Sequence, residues 1–245
     1  MSHTSSNLDS TLALPQGMLI ERFQLSTSPC VILAVGSTKE YGSAFISRYC
    51  EERIKQDPNH LFAQFSSWRN KITLDDLKGI IEHQKTHKDR HISVIIDGIV
   101  SQDLRGLNLS TVAANSSFYR ISLIVVDPCI VLPSDVRCNA DYTILWPNAN
   151  ISTLKRVYEH SFWVFPAFAV FDMVVKEIKK VKDDAALVTS LKGEIFWYSN
   201  SSDTEYTVPS DNILKYSIAP VDSKILISKA IELLDSIKEI LRTLG

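Results

Sequence analysis

Cys30-Val31-Ile32-Leu33-Ala34-Val35, followed by Gly36-Ser37-Thr38-Lys39-Glu40-Tyr41-Gly42-Ser43, is the stretch on which the fold turns. Six apolar residues in a row predict a strand buried on both faces. The polar turn after them leads into residues 43–56, SAFISRYCEERIKQ, where Phe45, Ile46 and Tyr49 recur at helical spacing. Strand, polar loop, helix is the setting of a phosphate-binding loop, which reads G-x-x-x-x-G-K-[ST] and grips phosphates with backbone N–H groups and a lysine. Gly36 and Ser43 stand at the required separation, but Tyr41 occupies the place of the second glycine and Gly42 that of the lysine. A plain strand-to-helix turn with one glycine accounts for the same letters. Lys39, inside the loop, is the candidate for a displaced phosphate-binding lysine.

Outward from this stretch the pattern alternates. Asp57-Pro58-Asn59 breaks the first helix, and Leu61–Phe65 predicts a short strand. Thr73, followed by Leu74-Asp75-Asp76, predicts a capped helix start with acids in its first turn, running to about Lys88 with Leu77, Ile80 and Ile81 on one face. Residues 91–97 (HISVIID), Ile121–Val126 and Tyr142–Trp146 predict further strands, with a short helix near Ser110–Asn115. Ser152–Phe162 and Pro166–Val181 read as helices, Leu187–Thr189 and Glu194–Tyr198 as strands. Asp222–Leu244 reads as a long amphipathic helix through Ile227, Ile231, Leu234, Ile237 and Leu241. Apolar strands separated by helices predict an α/β fold with a mostly parallel central sheet flanked by helices. The expected organisation is a flexible arm over residues 1–20, one domain over 21–200, and an extension over 201–245 ending in the amphipathic helix.

Composition narrows the classes. The chain has 245 residues, 45% of them hydrophobic and 22% charged, which excludes a disordered or collagen-like chain. A formal charge of −2 excludes strong global attraction to nucleic acid and leaves only local basic patches for DNA. No apolar run approaches the ~20 residues that span a bilayer. The polar start MSHTSSNLDS does not read as a signal peptide, and the four cysteines, at positions 30, 50, 129 and 138, form no C-x-x-C pair. Reduced thiols in an intracellular protein follow as the expectation. His83 and His87 have zinc-ligand spacing, but without the glutamate of H-E-x-x-H they read as a polar helix end.

Ligands of such folds sit at the C-terminal ends of the strands. Asp97 ends the third predicted strand, where a Mg²⁺-holding acid would stand, and Gly98 follows where a water-orienting acid would be needed. Asp127 ends the fourth strand at the place of a polar γ-phosphate sensor, and its carboxylate would repel that phosphate. Arg137, ahead of the fifth strand, is the candidate for an arginine finger or for an ordinary surface residue.

Residues 121–148, ISLIVVDPCIVLPSDVRCNADYTILWPN, and 151–175, ISTLKRVYEHSFWVFPAFAVFDMVV, resemble the sensor strand, proline-containing loop and following helices of the DNA-packaging ATPases of large nucleocytoplasmic DNA viruses, a branch of the FtsK–HerA superfamily. The IFWYS of residues 195–199 resembles that family's late aromatic strand, and the likeness runs from about Phe23 to Asn200. The resemblance implies a RecA-like P-loop NTPase fold with the five apolar strands in the order 5-1-4-3-2. It also implies that the departures fall in the active site. Gly36 and Ser43 keep their loop positions, Asp97 and Ser43 keep metal-holding positions, and Arg137 keeps the finger position. Gly42, Gly98 and Asp127 mark lost groups. Each such loss removes several kcal/mol of transition-state stabilisation. The implied protein is a degenerate packaging-ATPase homologue: structural or regulatory in the virion or its assembly in the host cytoplasm, with viral structural or packaging proteins as partners, forming homo- or hetero-oligomers, and not bound to membrane. It would need no cofactor. The alternatives are an active ATP-driven translocase with a deviant loop, and a nucleotide sensor that binds ATP and Mg²⁺ through Gly36, Lys39, Ser43 and Asp97 without hydrolysis.

Overall fold

In the computed structural model of the chain, which describes residues 11–13, 19–36, 38–66, 70–98, 107–128, 132–199 and 208–214, the elements are hung on one nine-stranded sheet. The strands are β1 (Thr11–Ala13), β2 (Leu19–Arg22), β3 (Val31–Val35), β4 (Leu61–Ser66), β5 (Ile92–Asp97), β6 (Ile121–Asp127), β7 (Tyr142–Leu145), β8 (Ala186–Ser190) and β9 (Ile195–Tyr198). Their order is β1-β2-β9-β8-β7-β3-β6-β5-β4. The helices are α1 (Lys39–Gln56), α2 (Leu74–Thr86), α3 (Leu109–Ala114), α4 (Ser116–Tyr119), α5 (Ser134–Cys138), α6 (Ile151–Ser161) and α7 (Phe168–Val181).

The run β7-β3-β6-β5-β4 is parallel throughout and has the order expected for the five apolar strands. All five residues of β3 are buried because helices cover both faces. Val31, Leu33 and Val35 point to one side, toward Leu77 and Ile80 of α2, Val157 of α6 and Phe171 of α7. Ile32 and Ala34 point to the other, toward Phe45 and Tyr49 of α1. This alternation follows from the period-2 geometry of a strand. The architecture is therefore a mixed α/β fold with a large, mostly parallel sheet between helices.

Beyond β7 the sheet changes character. β8 is antiparallel to β7, and β9 to β8. β9 then lies parallel to β2, which pairs with β1 as a hairpin. Thr11–Ala13 and Leu19–Arg22 thus belong to the sheet, whereas the sequence reading assigned residues through 20 to a flexible arm. The mixed burial of Leu19–Arg22 explains the difference, since only Ile20 is buried and no apolar run marks the strand. The 222–244 stretch lies outside the described residues.

Candidate functional site

At the C-terminal edge of the parallel strands, Gly36 leaves β3 with φ +72°, a conformation that favours glycine. Its N–H donates to the Asp127 carbonyl at the end of β6, at 3.3 Å. The residues after β7 fold over it. A Cβ placed on Gly36 would lie 2.7 Å from the Ala149 Cβ and 2.9 Å from the Trp146 carbonyl oxygen. The space over Gly36 is therefore closed by backbone and a methyl group.

The helix after this turn begins earlier than the apolar spacing predicts, at Lys39 rather than at Ser43. Thr38 is its N-cap: the Thr38 Oγ1 accepts from the Tyr41 N–H at 3.4 Å, and the Thr38 carbonyl accepts from the Gly42 N–H at 3.0 Å. The Glu40 carboxylate is held below the usual carboxylate range by its own backbone N–H and by the Thr38 hydroxyl. The positive end of α1 is thus occupied by an anion from its own first turn. Threonine followed by an acid in the first turn is the same signal that marks Thr73, so Thr38 and Glu40 were readable as a helix start. The same letters also carry the spacing of a phosphate loop, and the two signals compete over residues 36–43.

In a working phosphate loop the backbone N–H groups converge on phosphate oxygens. Here those of Gly36, Glu40, Tyr41 and Gly42 are committed inside the chain. Tyr41 packs against the apolar cluster of Phe45 and Trp146, Gly42 is buried in the first turn of α1, and Ser43 is exposed on the helix surface. Tyr41 and Gly42 therefore stand inside the first turn of a capped helix, where the G-x-x-x-x-G-K-[ST] pattern has a glycine and a lysine.

Asp97 is half-buried at the end of β5. Burial pushes its carboxyl above the usual range, and the Lys39 ammonium pulls it partly back. Gly98 follows with φ +69° and donates its N–H to the Val126 carbonyl at 3.0 Å. Asp127 is buried within β6. The fold thus brings Gly36, Lys39, Asp97, Gly98 and Asp127 to one edge. Arg137 is placed elsewhere. It lies on α5, its guanidinium donates to the Leu132 carbonyl, and its charge acts on His160 near the far end of α6. His160 is held below the usual imidazole range first by burial, then by that charge. The eleven residues of α6, at ~1.5 Å each, carry His160 well away from the Gly36 edge.

Other candidates resolve simply. The His83 and His87 rings stack at 4.2 Å, with the His87 Nδ1 on the His83 carbonyl. Among the described residues, no group of three metal-ligating side chains assembles. Cys30 and Cys50 are buried free thiols, pushed up by burial to about 11 and about 12. No described helix is long and apolar enough to cross a membrane.

A mostly parallel sheet in this strand order, with a glycine turn after its central strand, is a RecA-like fold. Among solved structures, the DNA-packaging ATPase of Sulfolobus turreted icosahedral virus is similar at TM-score 0.50 and 14% identity, covering 69% of this chain and 97% of that one. The genome-packaging NTPase of Sulfolobus turreted icosahedral virus 2, solved with AMP, is similar at TM-score 0.49 and 14% identity, over 71% of this chain and 98% of that one. EssC ATPases 2 and 3 from Geobacillus thermodenitrificans give TM-score 0.43 and 13% identity, over 56% of this chain and 36% of that one. At these identities the likeness is one of fold. No protein-family model matches the chain. No curated protein sequence matches it either.

Proposed function

We propose that this chain is a catalytically degenerate relative of genome-packaging ATPases, acting as a structural or regulatory protein in virus assembly with viral structural or packaging proteins as its partners. One observation supports the reading: α1 starts at Lys39, the Gly36, Tyr41 and Gly42 N–H groups donate to Asp127 and Thr38, and the Glu40 N–H is turned to its own carboxylate. Gly42 supplies no charge to a phosphate, and Gly98 positions no water. The approach of Lys39 to Asp97 favours a second reading, an ATPase with a displaced lysine. Turnover of Mg²⁺-ATP by the purified full chain, with and without DNA, separates the two. The expected result is no hydrolysis above background in either case. DNA-stimulated hydrolysis that disappears in Lys39→Ala overturns the degenerate reading and establishes the second.

A further inference from the structure

At the end of the strands opposite Gly36, α1 drives a buried cation into the start of the sheet. Arg53 is 2% exposed. Its guanidinium donates to the Tyr49 hydroxyl and the Ser28 carbonyl, each at 3.1 Å, and to the Ser122 Oγ at 3.4 Å. It also reaches the Cys30 Sγ at 3.7 Å. Among the described residues no carboxylate forms an ion pair with it. Two histidines complete the cluster. The His60 Nε2 lies 2.7 Å from the Ser93 Oγ, which is itself 2.7 Å from the Tyr49 hydroxyl. The His91 Nε2 lies 3.0 Å from the Ser122 Oγ. The two imidazole rings are 4.6 Å apart, and each is joined to Arg53 through shared hydroxyls.

The same residues hold down the last described segment. Asn212 Nδ2 donates to the Pro58 and His60 carbonyls, both at 2.8 Å. The Leu214 N–H donates to the Phe62 carbonyl at 2.9 Å, and Ile213 pairs with Phe62 in parallel. The Leu61 N–H in turn donates to the His91 carbonyl at 3.0 Å. Residues 208–214 thus form a strap across the start of β4, and its anchor is the backbone of His60.

We propose that this edge is an acid-released latch: a proton on His60 or His91 sets a second cation beside Arg53 in a dry cluster, so acid favours the form in which β4 lets go of the strap. Among the described residues, the charged groups that act on the two imidazoles are Arg53, Arg120 and, for His60, its neighbour His91, and none of them offsets that added charge. From α1 come Arg53 and Tyr49, the latter pushed by burial up to about 12 and so neutral. Cys30, ahead of β3, is likewise neutral. Arg120, ahead of β6, adds positive charge to His91. The Asp141 carboxylate, ahead of β7, accepts from the Val31 N–H at 2.8 Å and acts on Cys30 rather than on either imidazole. Burial, then the neighbouring cations, holds His60 near 2 and His91 near 3 in the closed form. On release each returns to about 6.5, so opening takes up protons and is promoted as pH falls below that value.

Hydrogen exchange of the full chain at about pH 7.5 and about pH 5, corrected for intrinsic rates, tests the latch. The Leu61 and Leu214 amides report the strap, and the Trp146 amide, bonded to the Val35 carbonyl at the opposite edge, reports the whole molecule. The expected result is a rise in strap opening at the lower pH of ~30-fold for each imidazole released, with the strap opening more often than Trp146 at both values. His91→Gln should remove one such factor. Asn212→Ala, which cuts the strap without touching the cluster, should open Leu214 already at about pH 7.5 and leave it less than ~3-fold sensitive to acid. Opening of Leu214 that ignores pH, or that equals Trp146 at the lower pH, overturns the proposal, as does an Asn212→Ala chain that keeps the full acid response.

Discussion

Gly36 shows how tightly the residues after β7 pack on the turn that leaves β3. Its positive φ costs an L-residue ~1–2 kcal/mol. In addition, the Ala149 methyl and the Trp146 carbonyl stand within 3 Å of the place a Cβ would take. Neither is the far end of a flexible side chain, so neither can swing aside. Gly36→Ala should therefore lose ~2–3 kcal/mol, read as a lowered urea midpoint with an unchanged slope. Pairing it with Ala149→Gly should restore part of the loss. A cost below ~1 kcal/mol, with no rescue, would mean that the residues after β7 do not bear on the loop. Asp97 belongs to the same scale. Burial raises its carboxyl above the usual range, and the Lys39 ammonium partly opposes that.

At the scale of elements, the start of a helix is decided by its cap. Thr73 and Asp76 form a reciprocal pair: the Asp76 N–H donates to Thr73 Oγ1 at 3.1 Å, and the Thr73 N–H donates to Asp76 Oδ2 at 2.8 Å. The site is exposed, so its removal leaves no cavity. Thr73→Ala should cost ~1 kcal/mol in a denaturant melt, and Thr73→Asn a few tenths. Equal losses in both variants would show that the threonine methyl rather than its oxygen matters. The same chemistry at Thr38 sets the first turn of α1 at Lys39 and takes up the stretch that a phosphate loop would need. Local capping thus accounts for the form of this edge without any appeal to catalysis.

For the whole molecule, the buried imidazoles set the dependence of stability on acid. His60 and His91 have folded values far below their ordinary 6.5, so the unfolded chain binds more protons than the folded one below that pH. Their contribution is therefore complete above about pH 6.5 and is lost progressively toward about pH 3. Each histidine removes ~1.4 kcal/mol per pH unit within that window. Between about pH 7 and about pH 5 the two together should lower unfolding stability by ~4 kcal/mol, a large part of the ~5–15 kcal/mol of a typical domain. Urea melts at four pH values check this, and a flat profile would contradict the buried, neutral state of both rings. His83 and His160 are lowered in the same direction and add to the slope. Asp97, whose carboxyl is raised, acts with the opposite sign, its stabilising share being present at low pH and lost as pH rises.

Much of this protein is legible letter by letter. The run Cys30–Val35 and its counterparts before Asp97 and Asp127, each interrupted by one serine, read as buried strands because they are short, β-branched and apolar on both faces. The absent charge at Gly42 and the absent carboxylate at Gly98 are equally plain, since a missing side chain needs no coordinates to be seen. Tertiary structure alone decided the rest. Ala149 closing over Gly36, Arg53 resting among Ser28, Ser122 and Tyr49, and Asn212 fastening to His60 are all contacts between segments remote in sequence. Periodicity and capping report the physics of neighbours along the chain. Desolvation and close packing depend on which surfaces the sheet brings together, and that is set only when the strands take their order.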